Sequence, residues 1–190
     1  NITRTGIIKL KLYARFDKII QPISIDLSAQ NYHIYEIQRK SMPCTFDHDQ
    51  PFYIYTPSHE EHLAEKVCII AESNKEDVLN TRIKDFYDIY KLHGGLYNRK
   101  KFAKYFEMSI VDRNKIAIDN LTSEYLDNNY IIKHQQLWDS LSKKYEFLDK
   151  NIDFRGALYY SRAVLSEQIQ RIKEKQQQGT LYQGKSLIKK

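Results

Sequence analysis

A change of hydrophobic period near residue 57 constrains this chain more than any other feature. Before it, the clearest apolar runs recur at every second position; after it they recur every three to four, so strands give way to helices. Ile8, Leu10 and Leu12 alternate with Lys9 and Lys11, the pattern of a half-buried strand. A turn at Asp17–Lys18 leads to a second run, where Ile23, Ile25 and Leu27 alternate with Ser24 and Asp26. Tyr32 to Ile37 predicts a third strand, and Phe52 to Tyr55 a fourth after a loop marked by Pro43, Asp47, Asp49 and Pro51. Pro57 stops that strand, and Ser58 with Glu61 forms a capping box that opens a helix. Leu63, Val67 and Ile70, with Ala64, Cys68 and Ala71, give this helix an apolar face that runs to about Glu72.

A second helix is predicted over Val78–His93, stopped by Gly94–Gly95. Further helices are predicted over Arg99–Asp112, Ile131–Tyr145 and Phe154–Lys175. Strands first and helices after predict an α+β fold with segregated halves, not alternating βαβ units. The expected division is a sheet lobe over 1–57, a helical domain over 58–175, and a basic, frayed stretch over 176–190.

Composition narrows the function classes. No apolar run approaches the roughly 18 residues of a membrane-spanning helix, and the opening NITRTGIIKL lacks the layout of a signal peptide. Cys44 and Cys68 make neither a disulfide framework nor a zinc site, and reduced thiols in a cytoplasm are expected. Lys and Arg exceed Asp and Glu by 30 to 24, a net charge of +6, which mildly favours an anionic partner such as RNA or a nucleotide. A strand pattern that starts within a few residues of Asn1 predicts that part of the protein precedes it.

The segment from Ala64 to Leu92 carries the most chemistry. On a helical wheel Leu79, Ile83, Phe86, Ile89 and Tyr90 gather on one face, and Lys84 and Asp88 lie opposite. Arg82 and Asp85 sit at the edge of the apolar arc. On the preceding helix Lys66 stands at the margin of the apolar face, where its stem can be buried and its ammonium turned into a cleft. Pairs at these spacings commonly lace solvated helices and contribute only a few tenths of a kcal/mol. Spacing alone therefore favours a structural reading.

The combination of AEK, Ala64 to Lys66, with RIKDFYDIY, Arg82 to Tyr90, resembles the signature of the AbiEii/AbiGii-type nucleotidyltransferase toxins. Glu65, Lys66, Arg82, Lys84, Asp85, Tyr87 and Asp88 all fall in place, and ISIDLS resembles the family's upstream strand through Asp26. The resemblance covers roughly residues 6–93 and implies a polymerase-β-like nucleotidyltransferase sheet followed by a helical C-terminal domain. It implies transfer of a nucleotide from an NTP, with Mg2+ or Mn2+, to an RNA such as tRNA or to a protein hydroxyl. It also implies a cognate antitoxin, a DNA-binding repressor. By the same resemblance Lys66 and Asp88 are the catalytic pair; Lys66, Arg82 and Lys84 bind the nucleotide; Arg82 and Asp85 form a structural ion pair; and Asp26 is a metal carboxylate.

One departure matters. The family's site begins with a Gly-Ser element followed by an Asp-x-Asp or Asp-x-Glu pair that carries the metal, and no such succession occurs here. Asp47-His48-Asp49 lies in a loop after the strands and reads as a turn. The metal carboxylates are thus expected upstream of Asn1, and this chain alone is expected to be inactive. The alternative is a non-catalytic module that binds an antitoxin or RNA.

Other features read as structural. His59-Glu60-Glu61-His62 has its histidines three apart, not the four of a zinc-protease helix. Trp138, with Leu137 and Leu141, is expected in the core. Arg162, Gln168, Arg171, Lys173 and Lys175, followed by Lys185, Lys189 and Lys190, read as a solvated helix and tail, with an RNA-facing surface as the functional alternative. No P-loop, GxGxxG or serine nucleophile elbow is present.

Overall fold

The computed structural model describes residues 7–28, 35–43, 50–73, 82–113, 116–145 and 148–184; the side chains of 7, 16, 26 and 28 are not among those described. The chain packs as two compact units, residues 1–33 and 34–190, and each is taken by itself.

The first unit is a hairpin of β1 (Ile7–Phe16) and β2 (Ile19–Ser28). Its register sets Ile8 against Leu27, Leu10 against Ile25 and Leu12 against Ile23, so one face is apolar along these three pairs before Gln21 interrupts it opposite Ala14. Lys9 opposite Asp26 and Lys11 opposite Ser24 occupy the other face. The hairpin turns at Asp17, whose φ of 50° lies in the left-handed region that Asp tolerates better than most residues.

The second unit begins with β3 (Ile37–Met42), antiparallel to β4 (Phe52–Pro57). The third strand thus meets the Tyr32–Ile37 window predicted for it only at Ile37 and runs on to Met42; residues 32–34 fall outside the described part. The reason is visible at Tyr35 and Glu36, whose backbone N–H groups donate to the Glu61 carboxylate at 2.8 and 2.9 Å instead of to a neighbouring strand. The actual strand, IQRKSM, has no alternating apolar pattern to announce it. A cross-strand contact helps hold it: the Arg39 guanidinium lies 3.7 Å from the centre of the Tyr53 ring.

Helix α1 (His59–Glu72) starts at Ser58, whose hydroxyl accepts from the Glu61 N–H at 3.2 Å. Only half of the expected capping box forms. Glu61 holds Tyr35 and Glu36, and the Ser58 N–H donates to the Glu36 carbonyl at 3.1 Å. The cap therefore also fastens the stretch before β3 to the helix. Helix α2 spans Lys84–His93 and not the longer 78–93; Arg82 and Ile83 form a turn before it, with the Asp85 N–H on the Arg82 carbonyl at 2.8 Å, and 78–81 lie outside the described residues.

Helices α3 (Arg99–Arg113), α4 (Asn128–Lys144) and α5 (Phe154–Gln177) follow, close to their predicted ranges. α4 opens three residues earlier than periodicity suggests because Asp127 caps it, accepting from the Tyr130 N–H at 2.9 Å. Asp153 caps α5 in the same way through the Gly156 N–H. The fold is α+β, with two small antiparallel sheets and five helices. Its core joins Leu63, Val67 and Ile70 of α1 to Phe86 and Ile89 of α2, Phe102 and Phe106 of α3, and Leu158 and Leu165 of α5, all fully or almost fully buried. Trp138 is in this core, stacked 5.2 Å from Phe154. Among the described residues no helix is long and apolar enough to cross a membrane.

Candidate functional site: a charge cluster between two helices

The margin of the α1 apolar face places Lys66 against α2. Its ammonium lies 2.9 Å from Asp85 Oδ1 and 2.8 Å from Asp88 Oδ2, so one cation bridges two carboxylates of the neighbouring helix. Arg82 Nε sits 2.7 Å from Asp85 Oδ2, an ion pair without a well-directed hydrogen bond. Lys84 Nζ meets both oxygens of Asp88, at 2.8 and 2.7 Å. The five residues carry three positive and two negative charges, a local excess of one cation.

Burial orders the cluster into a centre and a rim. The side chains of Lys66, Asp85 and Asp88 are 12%, 6% and 16% exposed, whereas Arg82 and Lys84 are 52% and 41% exposed. The wheel placed Lys84 and Asp88 opposite the core, yet Asp88 is mostly buried because α1 covers that strip. Burial by itself disfavours the charged forms, but each centre group has partners that outweigh it. For Lys66, burial lowers the pKa, and the bonds and charges of Asp88 and Asp85 raise it above its ordinary value. For Asp88, burial raises the pKa, and Lys66 and Lys84 bring it below the ordinary carboxylate value.

This donor set does not fit a divalent metal. Both carboxylates already face two cations each, and no group of three or more His, Cys, Asp or Glu side chains gathers among the described residues. The set does fit an anion. A lysine ammonium has three donors, two of Lys66's are used, and the exposed Arg82 and Lys84 flank it.

Other expected residues belong to other elements. Asp26 is in β2 opposite Lys9, in the hairpin unit, with its side chain outside the described residues. Cys44 and Asp47-His48-Asp49 also lie outside them, while Cys68 is a buried free thiol. The His59-to-His62 quartet disperses: His59 Nε2 meets the Leu92 carbonyl at 3.0 Å, Glu60 accepts from the Asn98 N–H at 2.8 Å, and Glu61 holds the strand entry. Of the late basic residues, Arg162 and Lys173 donate to the Leu126 and Leu121 carbonyls, and Lys175 pairs with Glu107.

Two motif positions serve the scaffold. Glu65 lies 3.9 Å from Arg113, which also pairs with Glu72 at 2.8 Å. The Tyr87 hydroxyl accepts from the Asp149 N–H at 3.0 Å, tying α2 to the approach to α5. Sequence reasoning did not single out Arg113 or the Glu61 clasp on Tyr35 and Glu36, since neither contact is local in sequence.

Neither a curated protein nor a solved structure matches the chain. Residues 1–160, which contain the whole cluster, match the family described as nucleotidyl transferase AbiEii toxin, type IV TA system. With most of its length inside that match and the AEK and RIKDFYD residues gathered at one place, the chain belongs to the AbiEii family of nucleotidyltransferase toxins from type IV toxin–antitoxin systems.

Proposed function

We propose that the Lys66 cluster, in the helical domain, is the triphosphate-binding part of a nucleotidyltransferase site whose sheet lobe is polymerase-β-like. The observation that carries this reading is the mostly buried Lys66 ammonium, fixed by Asp85 and Asp88, with Arg82 and Lys84 exposed beside it. In the reaction an acceptor hydroxyl of an RNA, such as tRNA, or of a protein attacks the α-phosphorus of an NTP. The new P–O bond forms as the bond to the β-phosphate breaks, and pyrophosphate departs with the electron pair. Lys66, Lys84 and Arg82 offset the negative charge that builds on the leaving group, and cations fixed in advance do so without reorganising. Asp88 positions Lys66. Held ionised below the ordinary carboxylate value, it is a poor proton acceptor, so the hydroxyl proton goes to a base outside the cluster or to solvent.

The Mg2+ or Mn2+ of such a reaction finds no fitting donor set among these residues, and its carboxylates, with the Gly-Ser element, are proposed to come from polypeptide outside this sequence. An antitoxin that is a DNA-binding repressor completes the proposed system.

A second reading has its own support. Lys66 also clamps α1 to α2, and the same network would serve a non-catalytic module that binds an antitoxin or RNA. Incubating the full-length gene product with each α-labelled NTP, Mg2+, total RNA and protein acceptors separates the two. Label on an acceptor with wild type, lost in Lys66→Met and Asp88→Asn variants that keep their fold, supports transfer. Absence of label with every NTP and acceptor, from folded wild type, supports the module.

A further inference from the structure

A second cationic recess lies between α3 and α5 and shares no residue with the Lys66 cluster. Lys100 and Lys104, one turn apart on α3, line one wall, and Arg171 and Lys175, one turn apart on α5, line the other. Glu107 and Gln168 lie at its base, 5% and 3% exposed. The recess holds about 70 Å3, several times the roughly 10–15 Å3 that one water molecule needs on the same measure.

Four cations thus face one carboxylate, and that carboxylate is occupied. Glu107 accepts from the Lys175 ammonium through one oxygen and from the Tyr182 N–H, at 2.7 Å, through the other. Lys100 and Lys104 pair with no carboxylate among the described residues, and Arg171 has only a 4.0 Å contact with Glu167. Gln168 adds a polar group to the lining. Its stem is buried, and its carboxamide lines the recess without a side-chain hydrogen bond to a described residue, so its N–H can donate to a ligand there.

We infer that this recess binds a phosphate group, with the Gln168 amide N–H and the Lys100, Lys104 and Arg171 cations as donors. Lys175, held by Glu107, closes one side. Gln168, Arg171 and Lys175 lie beyond residue 160, where the family match ends, and the inference does not depend on the transfer reaction. The phosphate comes either from a small phosphoester or from the backbone of a single-stranded RNA.

The test titrates the full chain with sodium phosphate, against sodium chloride at matched ionic strength, and with a short fluorescein-labelled single-stranded RNA. Gln168→Leu removes the amide at similar volume, and Lys104→Ala with Arg171→Ala changes only exposed side chains, so at least one variant keeps the fold. Each lost charged hydrogen bond is expected to weaken binding about tenfold. Phosphate binding without RNA binding identifies a small phosphoester; RNA binding displaced by phosphate identifies a polynucleotide. Absence of both, or affinities that neither variant changes, overturns the inference.

Discussion

Lys66 touches Asp85 and Asp88 across 19 and 22 residues of sequence, and these distances explain what could be read in advance. Helical spacing reports pairs within one helix, so Arg82–Asp85 and Lys84–Asp88 were visible as patterns, whereas the bridge that joins them depends on how α1 packs on α2. The motif named the five residues, and only the fold gives them a buried centre and a cationic rim. Two predictions belong to this scale. Asp85→Ala leaves a mostly buried ammonium with half its partners and is expected to cost roughly 3 kcal/mol in urea unfolding. Arg82→Ala, at a half-exposed position, is expected to cost under about 1 kcal/mol. Near-equal losses would contradict the division into centre and rim.

The titration of the cluster has a definite sign. Asp88 is lowered in the folded state, so its contribution is present above the ordinary carboxylate value and is lost as pH falls through the lowered one. Lys66 is raised, so its contribution is present below the ordinary lysine value and is lost as pH rises through the raised one. Stability measured against pH is expected to fall at the acid end in wild type, and to fall less in Asp88→Asn. An equal acid-side loss in the variant would show that Asp88 is not among the groups responsible.

At the scale of elements, helices were legible where an apolar stripe met a cap. Ser58, Asp127 and Asp153 all accept from the first turn of their helices, and α3 and α5 run within two residues of their predicted ends. The misread elements had no such local signal. β3 is polar along most of its length and owes its place to pairing with β4 and to the Glu61 clasp before it. Glu61 fits a capping-box sequence, but its carboxylate serves the N–H groups of Tyr35 and Glu36. Glu61→Ala leaves those donors unpaired and is expected to destabilise the protein by about 2 kcal/mol, whereas Ser58→Ala is expected to cost about 1 kcal/mol. Hydrogen exchange is expected to rise at Tyr35 and Glu36 in the Glu61 variant. Unchanged protection there would contradict the clasp.

Over the whole molecule, the order of hydrophobic periods gave the α+β class directly, because alternation and helical spacing mark strands and helices differently, although the apolar residues of the strands stay largely exposed and the core is helical. Charge was less informative. The net +6 suggested an anionic partner without saying where, and several of the late basic residues that seemed free for one are spent on the Leu121 and Leu126 carbonyls and on Glu107. Among the described residues, local groups of cations stand at the rim of the Lys66 cluster and in the recess between α3 and α5. Family membership supplies the class of chemistry, and the cluster is the place proposed for a polyphosphate. The most direct test compares the affinity of the full-length protein for an NTP and for the matching nucleoside monophosphate, in wild type and in Lys84→Ala. These rim cations are proposed to meet the outer phosphates, so NTP affinity is predicted to fall about tenfold while monophosphate affinity stays the same. Equal NTP affinity in wild type and variant, or no NTP binding by the folded wild type, would contradict the account.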